Sequence, residues 1–403
     1  MTHRERVEVA IVGGGPAGAV LAARLAAAGR DVLVLDRAPQ WRWRACGVFA
    51  SPAAVSALRA SGLAETNISA VVRPIPAMRV ETPSRTSFRL TYGAERGGEP
   101  AVGFDRSSLD PMLLDLAAQH GAQVRRAMTV TDADLGKRQL SVRTATGTTS
   151  HVAASVIVGA DGLRSVIARS AGVARPVRLA SRVGLSYHLE DRTGATARDA
   201  RICVIRDGYI GIAPVPGDRV NIGIVLGESW LPALRHDGAE SVAGSIVEGI
   251  PTTAGDPGGW RLGRRCDSIE GAWPLGHRVT KRAGPGWLLV GDAAGFLDPF
   301  TGEGLHRALV SADLAARAIL ATGVDRGDAF TAYDRQMRRR FMAKDVVSWL
   351  VQAFLARPAM FEYAARRVAS RDAVRATMGL VMGDLVPAGR ALDPRYLAAL
   401  LAP

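Results

Sequence analysis

Val7-Glu-Val-Ala-Ile-Val12-Gly13-Gly14-Gly15-Pro16-Ala17-Gly18, with the alanine-rich run to Ala28, Gly29 and then Asp31-Val-Leu-Val-Leu35-Asp36, decides the fold. A short apolar run ends in glycines, a helix follows and stops at Gly29, and a second apolar run ends in an acid. That is one βαβ unit. Gly13, Gly15 and Gly18 permit a tight turn and let backbone amides approach a pyrophosphate at the start of a helix that Pro16 and Ala17 open. Asp36, with Arg37 beside it, ends the second strand where an acid accepts from a ribose hydroxyl. The unit points to a dinucleotide and does not distinguish FAD from NAD.

Two further stretches have related form. In Val156-Ile-Val-Gly-Ala-Asp161-Gly162-Leu-Arg-Ser165 and in Leu289-Val-Gly-Asp292-Ala-Ala-Gly-Phe-Leu-Asp298-Pro299-Phe-Thr-Gly302-Glu-Gly304, an apolar strand runs into a loop. Asp161 or Asp292 there can bind a ribityl or ribose hydroxyl. A helix starting near Gly302 offers free amides to a pyrophosphate or flavin carbonyl.

These three motifs, in this order, resemble the flavoprotein superfamily of para-hydroxybenzoate hydroxylase and geranylgeranyl reductase, over roughly Val7 to Leu320. The resemblance is stronger toward the geranylgeranyl-reductase branch. Gly295 stands where aromatic hydroxylases carry histidine, and Asp298 to Gly304 and Arg44-Ala-Cys46-Gly47 look like that branch, with Arg44 in place of a lysine. Val102-Gly-Phe-Asp-Arg106 and Tyr209-Ile-Gly-Ile-Ala-Pro214 match its further segments. The resemblance implies FAD as cofactor. Asp292 would hold the ribityl chain, Pro299, Gly302 and Gly304 would lie at the flavin ring, and Arg106 would hold the pyrophosphate side. Cys46 is either a packed apolar cysteine or a cavity residue acting catalytically near the flavin, with Arg44 supplying positive charge. The tryptophan-rich signature of flavin halogenases is missing.

The remaining chain gives the architecture. The 403 residues are 48% apolar and 22% charged, as in a folded protein larger than a usual single core. The fold class expected is α/β. A Rossmann-like FAD domain spans 1–75, 101–178 and 280–330. An inserted antiparallel β-sheet substrate domain spans 76–100 and 179–279, and a helical cap spans 331–403. Met78 to Thr91 reads as exposed strands, Val124 to Val152 as a β-meander, and Ser155 to Ala160 as a separate buried strand. Arg201–Ile205, Tyr209–Val215 and Arg219–Leu226 alternate as antiparallel strands. Val346 to Phe361 reads as a helix packed over the cavity, with an amphipathic lipid-touching helix as the alternative.

The formal net charge of +13 comes mostly from scattered arginines. No basic block interleaves with aromatics, so no nucleic acid is expected. Cys46, Cys203 and Cys266 have no metal or disulfide spacing, which implies no metal and a reducing cytoplasm. Cys203 and Cys266 read as structural. The polar start, Met1 to Glu8, implies no signal peptide, and no apolar run reaches membrane-spanning length. His188, His277 and His306 receive no catalytic role.

No second glycine-rich βαβ unit follows, so NAD(P)H would bind transiently, or a partner reductase would supply electrons. Three functions fit these features. The first is an NAD(P)H-dependent monooxygenase that uses molecular oxygen on a hydrophobic aromatic or polyketide-like small molecule in secondary metabolism. The second is a flavin reductase of prenyl C=C bonds. The third is a flavin-free carrier of the same fold. Peripheral membrane contact is an alternative to a purely cytoplasmic protein.

Overall fold

The computed structural model describes residues 4–92, 98–177, 182–194, 198–250, 260–322 and 327–401; the expected domain boundary at 178/179 lies outside them. In chain order the main elements are β1 (Arg4–Val12), α1 (Pro16–Ala27), β2 (Val32–Leu35), α2 (Pro52–Arg59), β3 (Ala77–Glu81), β4 (Ser87–Thr91), α3 (Arg106–Gln119), β5 (Gln123–Arg125), β6 (Thr129–Asp134), β7 (Gln139–Arg143) and β8 (Thr149–Gly159). Then follow β9 (Val183–Asp191), β10 (Ala200–Ile205), β11 (Gly208–Val215), β12 (Arg219–Leu226), α4 (Gly238–Glu248), β13 (Trp287–Leu289), α5 (Gly304–Thr322), α6 (Gly327–Leu355), α7 (Pro358–Ser370), α8 (Asp372–Met382) and α9 (Pro394–Leu401). The fold is mixed α/β, as the sequence implies.

The first sheet runs β13-β8-β1-β2-β5 with every one of these pairs parallel. Helices α1, α3 and α5 pack against it, so β1 and β2 are apolar on both faces. Gly13 explains the turn between β1 and α1. Its φ is +107°, and a Cβ there would stand 2.4 Å from the Ala160 carbonyl oxygen. Only glycine fits that backbone approach.

The second sheet runs β9-β12-β11-β10-β3-β4 and is antiparallel except for the parallel β10–β3 pair. Alternation divides it into two faces. One buries Tyr187, Ile210, Ile212, Ile222 and Ile224 against Val242, Ala243 and Ile246 of α4. The other looks toward the first sheet, and α6 to α9 close over part of it.

Four expectations change. Met78, Val80, Phe88 and Leu90 are not on an exposed hairpin: the inserted sheet extends through β3 and β4 and turns them to a cavity. Gln123–Arg125 is no part of a meander but pairs parallel with β2. The meander proper is β6-β7-β8, and β8 continues unbroken to Gly159, absorbing the expected separate strand. Cys203 is buried, but Cys266 is exposed and packs in no core. After β12 the chain forms two helices, Leu231–His236 and α4.

Candidate functional site

The C-terminal ends of β1, β8 and β13 and the cavity face of the second sheet enclose one space of about 1350 Å³. That exceeds the roughly 300–1,000 Å³ of a pocket for one small ligand, so it has room for a dinucleotide and a substrate together. Gly13, Gly15, Pro16, Ala17, Asp36 and Arg37 line one end. Arg44, Cys46, Gly47, Arg106, Asp161 and Gly162 lie along it, and Asp292, Pro299, Gly302 and Gly304 stand opposite. Of the expected cofactor residues, Gly18 alone does not line the cavity. A Cβ on it would stand 2.0 Å from the Gly13 carbonyl oxygen, so Gly18 lets α1 pack closely on the turn and has no ligand-facing role.

Asp36 Oδ2 accepts from Gly14 N at 2.8 Å and its Oδ1 from Ala38 N at 2.7 Å, which fixes the carboxylate at the end of β2. Asp161 Oδ2 accepts from Val166 N at 2.6 Å, while its Oδ1 is buried with no hydrogen-bond partner. Burial raises the Asp161 carboxyl above its ordinary value, against opposing hydrogen bonds from Ser165 and Val166. Asp292 is raised by burial too, and the charges of Arg106 and Arg307 work against that rise. Thr301 Oγ1 is likewise buried without a partner, beside Gly302. At Gly302 (φ +65°) a Cβ would stand only 2.3 Å from the Phe49 ring. Buried polar atoms without protein partners call for a ligand. Acceptors and hydroxyls set around a bare helix N-terminus fit the phosphates, ribityl hydroxyls and ring edge of FAD.

Cys46 is half-buried on the cavity wall. Val48 N donates to its Sγ at 3.5 Å, and Ser186 Oγ donates to its carbonyl at 2.9 Å. The cation at its side chain is Arg106, where the sequence suggests Arg44. Arg106 Nε also donates to Asp110 Oδ2 at 3.1 Å. Burial opposes the Arg106 charge, but Asp110 and Cys46 outweigh it and hold the guanidinium above its ordinary value. Arg44 sits nearer Asp36; burial lowers it, with the Asp36 charge opposing.

His188, His277 and His306 each have a protein partner. His188 Nδ1 meets Asp267 Oδ2 at 2.6 Å, and its ring lies tilted by 55° against Trp43 with centroids 4.4 Å apart. His277 Nε2 meets the Ala293 carbonyl at 3.1 Å, and His306 Nδ1 meets Asp384 Oδ2 at 3.1 Å. Sequence reasoning misses the Tyr209–Asp298–Arg182 cluster, because no local signal joins residues so far apart. Tyr209 Oη donates to Asp298 Oδ1 and Arg182 to Asp298 Oδ2 at 3.3 Å. Burial raises the Tyr209 hydroxyl well above its ordinary value, and the Asp298 charge adds to it.

The stretch Val346 to Phe361, expected as one helix packed over the cavity, is divided between α6 and α7 and leaves Val346, Leu350 and Met360 exposed. Val347, Val351, Phe354 and Phe361 face the cavity. Trp273, Leu350, Met360 and Leu401 line the cavity and are exposed, which gives its mouth an apolar rim. No helix among the described residues is long and apolar enough to cross a membrane.

Comparison with known proteins agrees with this geometry. The chain is 29% identical to a menaquinone reductase of Mycolicibacterium smegmatis, over 94% of this chain and 92% of that one. It is 28% identical to a digeranylgeranylglycerophospholipid reductase of Methanosphaerula palustris, over 84% and 83%. Among solved structures, a geranylgeranyl bacteriochlorophyll reductase-like protein of Thermoplasma acidophilum shares the fold at a TM-score of 0.76 and 21% identity, covering 97% of this chain and 99% of that one. The flavin-dependent halogenase CmlS shares it at 0.74 and 22%, covering 99% and 72%. Residues 6–349 match the FAD binding domain family, and with that span and this nucleotide cradle the chain belongs to that family of FAD-dependent oxidoreductases.

Proposed function

We propose that this oxidoreductase saturates a carbon–carbon double bond in the prenyl part of a hydrophobic, quinone-type substrate. The carrying observation is the Cys46 thiol on the wall of an apolar cavity with the Arg106 guanidinium beside it. Bound FAD, once reduced by a nicotinamide donor, supplies the hydride. Asp161, Asp292 and the Gly302–Gly304 turn hold the cofactor. Cys46 Sγ gives its proton to the second alkene carbon, and Arg106 stands beside the negative charge left on sulfur. Cys46 regains a proton from water, and the aliphatic wall excludes solvent from the reacting carbons.

This reduction takes precedence over the oxygen-dependent hydroxylation expected first from the sequence, for two reasons. Relatives that span most of both chains carry reductase names. Saturating an isolated alkene also requires an acid in the cavity, a role Cys46 can fill. The test is an anaerobic single turnover with Cys46→Ala. The variant keeps its FAD and slows product formation by about 10²-fold or more; wild-type rates would remove Cys46 from the chemistry.

A further inference from the structure

The cavity face of the second sheet changes character along its width. Register places Ser186, Gly223, Gly211, Ile202, Val80 and Phe88 in one row across six strands. On β10, β3 and β4 the row is bulky. On β12 and β11 it has no side chains at all, and Ala213 extends the bare ground in a neighbouring row. Packing does not demand this. A Cβ at Gly211 would have only the Gly223 carbonyl oxygen near it, at 3.8 Å, and one at Gly223 would meet nothing closer than 3.7 Å. Neither residue has the positive φ that would call for glycine. Strand interiors favour larger residues, so two facing glycines with open space above them leave room for something else.

The bare ground borders the reacting end of the cavity. The nearest neighbours of a Gly223 Cβ include the Cα of Gly47, next to Cys46, and Ser186 Oγ donates to the Cys46 carbonyl. Strands about 4.8 Å apart put Ser186 and Ile202 about 14 Å from each other and leave a flat strip about 10 Å wide between their side chains. That footprint suits two fused six-membered rings lying on the sheet; an extended prenyl chain would leave most of it empty. Its polar edge is defined. Asn221 is buried, and its side-chain amide meets Ser186 Oγ at 2.9 Å with Nδ2 on the side of the strip. That Nδ2 lies 3.7 Å from where a Gly223 Cβ would be.

We infer that the Gly211–Gly223 strip seats an oxygen-bearing, planar two-ring head group, with Asn221 Nδ2 donating to a ring oxygen and the prenyl tail running over Ile202, Val80 and Phe88 toward the apolar rim. The inference rests on the cavity being the substrate site of the proposed reductase.

The test is a titration of oxidised, FAD-loaded protein, read from perturbation of the visible flavin band. Three probes are used: 2-methyl-1,4-naphthoquinone, trimethyl-1,4-benzoquinone and geranylgeraniol. Wild type is expected to bind the two-ring quinone about tenfold or more tighter than the one-ring quinone. Gly211→Val and Asn221→Leu should each weaken the two-ring probe by about tenfold or more and leave geranylgeraniol within about twofold. Gly211→Ala, a smaller intrusion, should give an intermediate loss. Equal binding of the two quinones, or a Gly211→Val protein that binds the naphthoquinone like wild type, would overturn the seat. Both results are independent of whether any double bond is reduced, so the seat and the reductase can fail separately.

Discussion

Tyr209 Oη donates a 2.5 Å hydrogen bond to Asp298 Oδ1, and this contact joins the substrate-side sheet to the turn that carries Gly302. The same Asp298 oxygen accepts from Phe300 N at 2.9 Å, and the Tyr209 ring meets Phe300 edge-on at 5.0 Å. The wall facing the substrate and the loop facing the cofactor are therefore held by one buried carboxylate. Tyr209→Phe keeps the ring contact and removes the donor. It is expected to cost about 1–3 kcal/mol and to weaken FAD retention, measured by thermal unfolding and by cofactor titration. Unchanged values on both would mean that Arg182 and Phe300 hold Asp298 without the tyrosine.

Asp292→Ala removes a carboxylate from the cofactor cradle. Purified variant should carry little flavin and regain it only at high FAD concentration, while its circular dichroism stays that of the wild type. Full flavin content would place the cofactor elsewhere in the cavity.

Gly18→Val tests packing apart from binding, because Gly18 faces the turn and not the cavity. The new side chain meets backbone that cannot yield, so a loss of about 3 kcal/mol is expected. The check is denaturant unfolding of the FAD-free protein.

Asp384 joins the C-terminal helices to the cofactor side. It accepts from Lys344 Nζ at 2.7 Å and Ser51 Oγ at 2.9 Å, and His306 Nδ1 lies 3.1 Å away. Burial works to raise its carboxyl, but His306 and Lys344 overcome that and hold it well below its ordinary value. A carboxyl depressed in the folded state stabilises above its unfolded value near 4 and loses that contribution as pH falls through its folded value. Asp384→Ala strands the buried Lys344 and should cost about 3 kcal/mol at pH 7. The gap between wild type and variant should narrow in melts taken below about pH 4. A gap independent of pH would show that packing, and not the charge, is what Asp384 contributes.

Much of the nucleotide half was legible because its signals are local. Gly13 to Gly18 and Asp36 lie in one βαβ unit, and Asp161 and Asp292 each follow an apolar strand directly, so a short window shows both residue and setting. The cap of α2 is local in the same way: Ser51 stands directly before Pro52, and its Oγ accepts from Ala54 N. The substrate half was less legible. Met78 to Leu90 alternates like an exposed hairpin, and only the parallel pairing of β3 with β10, more than a hundred residues away, turns its apolar side inward. Separation along the chain likewise hid Tyr209 from Asp298 and Arg106 from Cys46. Arg44 looked like the partner of Cys46 because it is near in sequence, whereas α3 brings Arg106 there in space.

The most direct test of the central claim is to reduce the FAD-loaded protein without oxygen, mix it with a prenylated naphthoquinone, and follow flavin reoxidation together with the mass of the product. The account predicts that the flavin reoxidises anaerobically and that the prenyl chain gains two hydrogens, at a rate that falls in Cys46→Ala. A flavin that stays reduced until oxygen is admitted, with a product that gains one oxygen atom, would contradict it and establish the hydroxylase.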